Sequence, residues 1–177
     1  PNILNHKLKI DYKTLRDNVK ENKSAMGLSG FQNKLGVKVD NSSNQITHEH
    51  DGGFFMKPFN EEYLIFSKES LYAPYISINE HLFMTIARDL GFDIPWNGII
   101  KDGQDYHYII KRYDRHNGSS LNHYDAATIL NKKSGQKYKV SYEQVFDGLK
   151  GYRLADDAIF EAFRFLFYSA LIGHGDF

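Results

Sequence analysis

The sequence predicts a mixed α+β protein with two lobes, a strand-rich part followed by a helical part. In the first part, short segments alternate apolar and polar residues, and one segment among them has helical spacing. Beyond residue 113 the apolar residues recur only at helical spacing. Strands with one helix, followed by helices alone, indicate an α+β layout. We therefore expect an N-terminal helical segment over residues 1–23, a β-rich lobe over residues 24–112 and the first part of a helical lobe over residues 113–177.

Composition narrows the classes of function. The 177 residues are 41% hydrophobic and include no cysteine, which excludes a disulfide scaffold, thiolate zinc sites and a cysteine nucleophile. Lysine plus arginine equals aspartate plus glutamate at 22 each, so no net field draws the chain to nucleic acid or a membrane surface. No apolar run reaches the roughly 20 residues that a membrane helix needs. We predict a cytoplasmic protein without a direct nucleic-acid or membrane partner.

The first elements in chain order are a short helix and two strands. Polar residues 11–23 predict a surface helix. Alternation over residues 35–39 predicts a half-buried strand, and the polar run 41–52 predicts a turn and a solvated loop. A second strand is predicted over residues 53–57. Pro58 should end it, because proline has no amide hydrogen to donate.

A longer helix is predicted over residues 78–90. Its apolar residues recur at helical spacing. Ser77 is the expected N-cap, and Glu80 three residues on would complete a capping box. Gly91 is the expected stop.

A hairpin and three helices should complete the chain. The hairpin is predicted over residues 96–111 around Asp102 and Gly103, with a hinge over residues 111–115. Helices are predicted over residues 124–130, 142–149 and 156–171. The last is apolar nearly all round, so we expect a buried core helix.

Three segments carry residue types that phosphoryl transfer uses. That reaction needs a loop over the phosphates, a lysine that reaches them, metal ions, and a carboxylate that orients the attacking hydroxyl. The glycines of residues 27–34 would let backbone N–H groups approach phosphate oxygens, although such a run also fits a surface turn. Lys57 lies in an apolar strand, where its charge needs a partner such as Glu80. The alternative is a strand-end lysine that reaches solvent.

Asp176 is the candidate for the carboxylate. It follows the apolar helix and a Gly-His-Gly turn, which would hold an exposed base on a rigid support. The alternative is an ordinary loop aspartate. A rival interpretation joins His48, His50, His174 and Asp176 in a metal-dependent phosphoesterase. The polar surroundings of His48 and His50 favour a solvated loop instead.

Taken together, these motifs resemble the HipA family of bacterial serine/threonine protein kinases, the toxins of HipBA and HipBST toxin–antitoxin systems. Residues 28–35 resemble the family's S-G-x-Q-x-K loop, and residues 55–58 resemble its L-K-P strand. Asn79 and Glu80, followed by residues 87–91, resemble its N-E…A…G helix. Residues 110–115 resemble its R-F/Y-D-R segment, and residues 171–176 the opening of its catalytic loop. The resemblance covers residues 24–177. Each motif is short, but five of them in the family's order are together specific to this family.

The resemblance implies a two-lobed protein-kinase-like fold that binds ATP and Mg²⁺. Lys57 would contact the ATP phosphates with Glu80 as its partner, and the segment of Lys111, Arg112 and Tyr113 would face the adenine. Asp176 would be the catalytic base. The phosphate loop would comprise Gly27, Ser29, Gly30, Gln32 and Lys34, with Ser29 as the autophosphorylation site. A phosphate there adds about two negative charges where ATP phosphates must lie, which would block ATP binding.

The resemblance also implies partners. The substrate would be a protein serine, in a translation factor such as an aminoacyl-tRNA synthetase. A helix-turn-helix antitoxin of the HipB type would bind the toxin, together with a small HipS-like subunit. The family's magnesium ligands should follow residue 177, so we assign no metal ligand here and expect a chain truncated within the catalytic loop. The alternative is a non-catalytic kinase-like fragment that binds nucleotide or a partner.

Overall fold

The computed structural model describes residues 2–11, 34–59, 75–116, 119–133, 136, 139–152 and 156–174. The chain divides into two compact units, Pro1–Arg115 and His116–Phe177. Both strands and helices are present, so the predicted mixed α+β class is confirmed. None of the helices in the described part of the chain is long and apolar enough to cross a membrane.

The first unit is built on a seven-stranded sheet. Its strands are β1 (Ile3–Leu4), β2 (Lys7–Lys9), β3 (Leu35–Asp40), β4 (Gln45–His48), β5 (Phe54–Lys57), β6 (Asn97–Asp102) and β7 (Asp105–Lys111). They lie in the order β1-β6-β7-β5-β3-β4-β2. The central pairs are antiparallel, whereas β1 pairs with β6, and β2 with β4, in parallel. A separate two-stranded sheet joins β8 (Arg115–His116) to β9 (Ser119–Ser120).

The N-terminal strands show that the sheet is curled. β1 and β2 follow each other closely in sequence, yet they stand at opposite ends of the strand order. In a flat sheet those ends would be separated by six spacings of about 4.8 Å, roughly 29 Å. The chain from Leu4 to Lys7 spans at most about 10 Å. The sheet must therefore bend until residues 3–9 connect its two edges.

These two strands correct part of the predicted N-terminal helical segment. Residues 3–9 are extended, because Leu4 and Leu8 alternate with more exposed neighbours and pack against the core of the sheet. The expected helix over residues 11–23 lies outside the described residues, apart from Asp11, which is not helical.

The core fills one face of the curled sheet. Six fully buried side chains form it: Leu35, Val37, Ile46, Met56, Ile100 and Ile109. Ile46 lies in β4, within the stretch 41–52 that was predicted to be a solvated loop, so that prediction is wrong for residues 45–48. The strand forms because β3 and β2 flank it on both sides and Ile46 points into the core. The predicted turn before it is confirmed, with Asn44 at a φ of 53°.

Helix α1 (Ile76–Asp89) lies against β6 and β7. The prediction of a Ser77 N-cap with a capping box is wrong. Tyr75 occupies the cap position without a side-chain hydrogen bond, and Ser77 is buried inside the helix. The helix end is as predicted, because Gly91 adopts a φ of 85° while Gly91 N donates to Arg88 O and Phe92 N to Ala87 O.

The hairpin of β6 and β7 is confirmed, with Gly103 in its turn at a φ of 59°. This hairpin forms because β6 and β7 each carry a continuous run of buried residues and are joined by only two residues.

The second unit contains α2 (Ala126–Ile129), α3 (Tyr142–Gly151) and α4 (Asp156–Leu171). The side chain of Asp125 caps α2, and Ser141 with Gln144 forms a capping box on α3. All three predicted helices therefore exist.

The predicted burial of α4 is wrong. Its buried residues in the described structure are Tyr168 and Ser169, whereas Phe160, Phe163 and Phe167 are each more than half exposed. The physical reason is geometric, because a helix that is apolar all round needs neighbours on every side. Within the described part of its own unit, aromatic packing on α4 includes the Phe163 ring at 6.4 Å from Phe146 of α3.

Candidate active site

The centre of the candidate site is an ion pair between Lys57 and Glu80. Lys57 is the last residue of β5, and Glu80 lies in the second turn of α1. The Lys57 Nζ donates to Glu80 Oε1, and both side chains are about three-quarters shielded from solvent. The pairing predicted from the sequence is therefore present. Because the helix begins at Ile76, Glu80 lies beyond the N3 position and takes no part in a capping box.

The ring of Tyr108 lies beneath the Lys57 ammonium group. It stands opposite Lys57 in the register of β5 and β7, so both side chains share the face of the sheet that α1 approaches. The Lys57 ammonium lies 5.5 Å from the centroid of the fully buried Tyr108 ring. Burial, with a smaller contribution from the Glu80 carboxylate, raises the pKa of Tyr108, so its phenol stays protonated. The lysine is thus held between a carboxylate and an aromatic face.

The chain leaving β5 is also fixed. After Lys57 and Pro58, the backbone N–H of Phe59 donates to Nδ1 of His107 at 2.9 Å. His107 is 3% exposed, and this burial lowers its pKa. A neutral ring can accept the Phe59 hydrogen bond at Nδ1. Lys57 therefore lies between the paired strand β5, which precedes it, and the hydrogen bond that fixes the backbone at Phe59.

The predicted hinge segment follows β7. Lys111 is exposed at the strand end, while its N–H donates to Trp96 O. Tyr113 is 66% exposed. Arg112 is buried, and its N–H donates to Gly53 O.

The Arg112 side chain is held inside the protein. Its Nε and Nη2 donate to the two carboxylate oxygens of Asp114 at 2.9 and 2.7 Å. The guanidinium stacks 4.2 Å from the Phe55 ring centroid, and Arg115 donates to the same carboxylate at 2.8 Å. The Arg112 hydrogen bonds, then its charge and that of Arg115, hold the pKa of Asp114 below its usual range. This geometry stiffens the segment and leaves Lys111 and Tyr113 as its exposed side chains.

Several predicted site residues lie outside the described residues. They are Gly27, Ser29, Gly30 and Gln32 of the phosphate loop, and Asp176. Lys34 is described, half-buried, immediately before β3. The end of α4 is described too. Gly173 has a φ of 66°, and His174 N donates to Ser169 O, so the predicted glycine turn does stop this helix.

The rival metal site receives no support from the described geometry. His48 ends β4 and His50 lies in the following turn, 3.8 Å from a carboxylate oxygen of its neighbour Asp51. Among the described residues no three histidine, aspartate or glutamate side chains are grouped so that they could hold a metal ion.

Sequence reasoning missed Tyr108, and it included Asp114 in the R-F/Y-D-R segment without giving it a role. Tyr108 could have been found from the alternation of β7, which places it on the face opposite the core residue Ile109. Asp114 stands two residues from Arg112 in a run of charges, a signal that indicates pairing only once both side chains are known to be buried.

One family model matches most of the chain. The profile of the HipA-like C-terminal domain matches residues 26–177. A Haemophilus influenzae protein named "Putative kinase" is 28% identical over 172 residues, which cover 88% of this chain and 46% of that protein. The chain thus spans less than half the length of this curated relative. A chain of the Shewanella oneidensis MR-1 toxin–antitoxin complex of HipA, HipB and operator DNA aligns with a TM-score of 0.41 at 20% identity, over 68% of this chain and 28% of that one.

Proposed function

Because this chain belongs to the HipA-like C-terminal domain family, we propose that it forms the nucleotide-holding part of an ATP-dependent serine/threonine protein kinase with a two-lobed kinase-like fold. The observation that carries the proposal is the ion pair of Lys57 with Glu80, which joins strand β5 to helix α1 above Tyr108. A strand lysine paired with a helix glutamate is the arrangement that protein kinases use to hold ATP phosphates.

Lys57 would be the residue that binds phosphate. An ammonium group held between a carboxylate and an aromatic face is oriented before the nucleotide arrives, so little side-chain freedom is lost on binding. Glu80 would keep the lysine at the strand end rather than in solvent. The exposed part of the pair is what remains for phosphate oxygens to approach.

The hinge segment would receive the adenine. Arg112 contributes through the stiffness of this segment, because its side chain is committed to Asp114. Lys111 and Tyr113 are the side chains of the segment that an adenine ring would meet.

The remaining roles rest on the sequence resemblance. Asp176 would orient the serine hydroxyl as catalytic base, and the loop containing Gly27, Ser29, Gly30, Gln32 and Lys34 would cover the phosphates. Mg²⁺ would neutralise charge on the phosphates when bound. The described residues offer no group that fits it.

We extend the proposal to the biological role. The kinase would act as the toxin of a type II toxin–antitoxin system and phosphorylate a translation factor such as an aminoacyl-tRNA synthetase. An antitoxin of the HipB type would bind it, together with a small HipS-like subunit. The sequence motifs of the family support this extension.

The test is phosphotransfer from Mg·ATP by the full-length protein. Lys57→Met should lower turnover by about 100-fold or more, the usual consequence of removing a donor that stabilises transition-state charge. Asp176→Asn should do the same. Lys101→Met, at an exposed lysine of β6, is the matched control and should leave turnover unchanged.

Wild-type turnover in Lys57→Met would contradict the role of Lys57. ATP binding by the wild type without any transfer would instead favour a non-catalytic nucleotide-binding module, the second function that the sequence left open.

A further inference from the structure

A buried polar network ties α1 to the sheet beside the proposed phosphate site. His81 is 3% exposed, and its Nδ1 lies 2.6 Å from the Oδ1 of Asn97, a fully buried residue at the start of β6. The N–H of Asn2 donates to the other ring nitrogen of His81, Nε2, at 3.2 Å. The Asn2 side chain in turn donates to Asn97 O at 3.0 Å. One imidazole therefore joins α1, β6 and the segment that leads into β1.

The hydrogen-bond roles in this network are mutually consistent. Because His81 Nε2 accepts from Asn2, the ring proton is on Nδ1, which donates to Asn97 Oδ1. The Asn97 amide nitrogen donates to Pro95 O at 3.0 Å, so its oxygen is the atom that faces the histidine. Each of these hydrogen bonds has one donor and one acceptor. Such a satisfied buried network specifies one arrangement of the elements that it connects.

The position of His81 gives the network its functional meaning. His81 directly follows Glu80, and neighbouring residues project about 100° apart around a helix. Glu80 therefore contacts Lys57 at the end of β5, while His81 contacts Asn97 at the start of β6. Two contacts at one level of α1, to two different strands, fix both the height of the helix and its rotation about its own axis.

We propose that His81 is a positioning residue, which with Asn97 and Asn2 holds α1 in the rotation that keeps Glu80 against Lys57. Neither the resemblance nor the proposed roles require His81. Its effect on phosphotransfer rests on the proposed function. Its effect on the Lys57–Glu80 pair does not.

The first experiment measures the pair without any assumption about catalysis. The full-length protein is treated with a trace of acetic anhydride, and acetylation is mapped by mass spectrometry as the ratio of Lys57 to the exposed reference Lys101. Glu80→Gln removes the carboxylate and defines the ratio of the open pair. His81→Phe retains a ring of similar size but removes both hydrogen bonds. His81→Asn restores a donor at the same number of bonds from the backbone as Nδ1.

His81→Phe should raise the ratio several-fold, toward the value of Glu80→Gln, and His81→Asn should stay near the wild type. The control is Ala87→Gly, which loosens the same helix at a buried residue outside the network and should leave the ratio unchanged. A wild-type ratio in His81→Phe would overturn the proposal. An equal rise in Ala87→Gly would also overturn it, because any loosening of α1 would then be sufficient.

The second measurement connects the network to the reaction. At saturating ATP, His81→Phe should lower kcat at least tenfold, with partial recovery in His81→Asn. An unchanged kcat in His81→Phe would overturn the link to catalysis. If the wild-type protein transfers no phosphate and His81→Phe still changes the Lys57 ratio, the kinase function is overturned while the positioning role is supported.

Discussion

The two units of this chain differ in how far their apolar and charged side chains are buried. In the first unit the buried Arg112 is paired with Asp114 and the partly buried Lys57 with Glu80, and a curled sheet encloses a continuous apolar core. In the second unit α4 is richer in phenylalanine than any strand, yet Phe160 and Phe167 are each about 60% exposed. Burial therefore depends on neighbouring elements as well as on hydrophobicity. A curled sheet supplies its own neighbours, whereas a single helix does not.

The ion pairs of the two units differ in the same way. A charge in an enclosed core must be paired or it costs several kcal/mol, so the ion pairs of the first unit have defined geometry. On α4 the ion pair of Arg164 with Glu161 is a surface pair between residues three apart. Pairs of that kind contribute little to stability.

Breaking the buried pair of Arg112 and Asp114 should cause the largest loss of stability. Arg112→Ala should lower the free energy of unfolding by about 3–5 kcal/mol, because it leaves the Asp114 carboxylate buried without its bidentate partner. The matched control is Arg164→Ala in the second unit, which should cost about 0.2–1 kcal/mol. Urea unfolding of the chain measures both. Equal losses for the two variants would remove the distinction between enclosed and surface charges.

A smaller effect is expected at acidic pH. The pKa of Asp114 is lowered in the folded state from its ordinary value of 3.8. A lowered folded-state pKa stabilises the fold above the unfolded value, and that stability is lost as the pH falls below about 4 through the folded value. Unfolding midpoints between pH 6 and pH 2.5 should therefore fall less steeply for Asp114→Asn than for the wild type. Parallel curves would show that other carboxyl groups carry the acid sensitivity.

The sequence predicted individual elements of the first unit better than their assembly. Gly91 and the turn at Gly103 were identified because a positive φ leaves a direct mark on residue choice. Strand β4 was missed because its one core residue, Ile46, is surrounded by polar neighbours. The burial of Ile46 depends on β2, an N-terminal strand that pairs with β4. Pairing between segments so far apart leaves no periodic signal in either one.

The candidate site shows the same division. Lys57 was recognisable because a lysine in an apolar strand needs a partner, and Glu80 stood at a suitable place in the next helix. His81 gave no such signal, since its partners Asn97 and Asn2 are polar residues near the ends of other elements. A buried polar network is visible in a sequence only after the fold has brought its members together.

Removing a side chain from the exposed face of α4 should change stability very little. Phe167→Ala should change the free energy of unfolding of the 177-residue chain by no more than about 0.5 kcal/mol, as for other surface positions. Phe54→Ala is the matched substitution in the first unit, where the ring meets Trp96 edge-on at 5.9 Å and packs against the core. That variant should lose about 3 kcal/mol, typical of a packed phenylalanine. If Phe167→Ala cost as much as Phe54→Ala, the exposed face would be covered in solution. An unfolding midpoint that rises with protein concentration would then show that self-association shields this face. Only an intermolecular contact becomes more stable as the concentration increases.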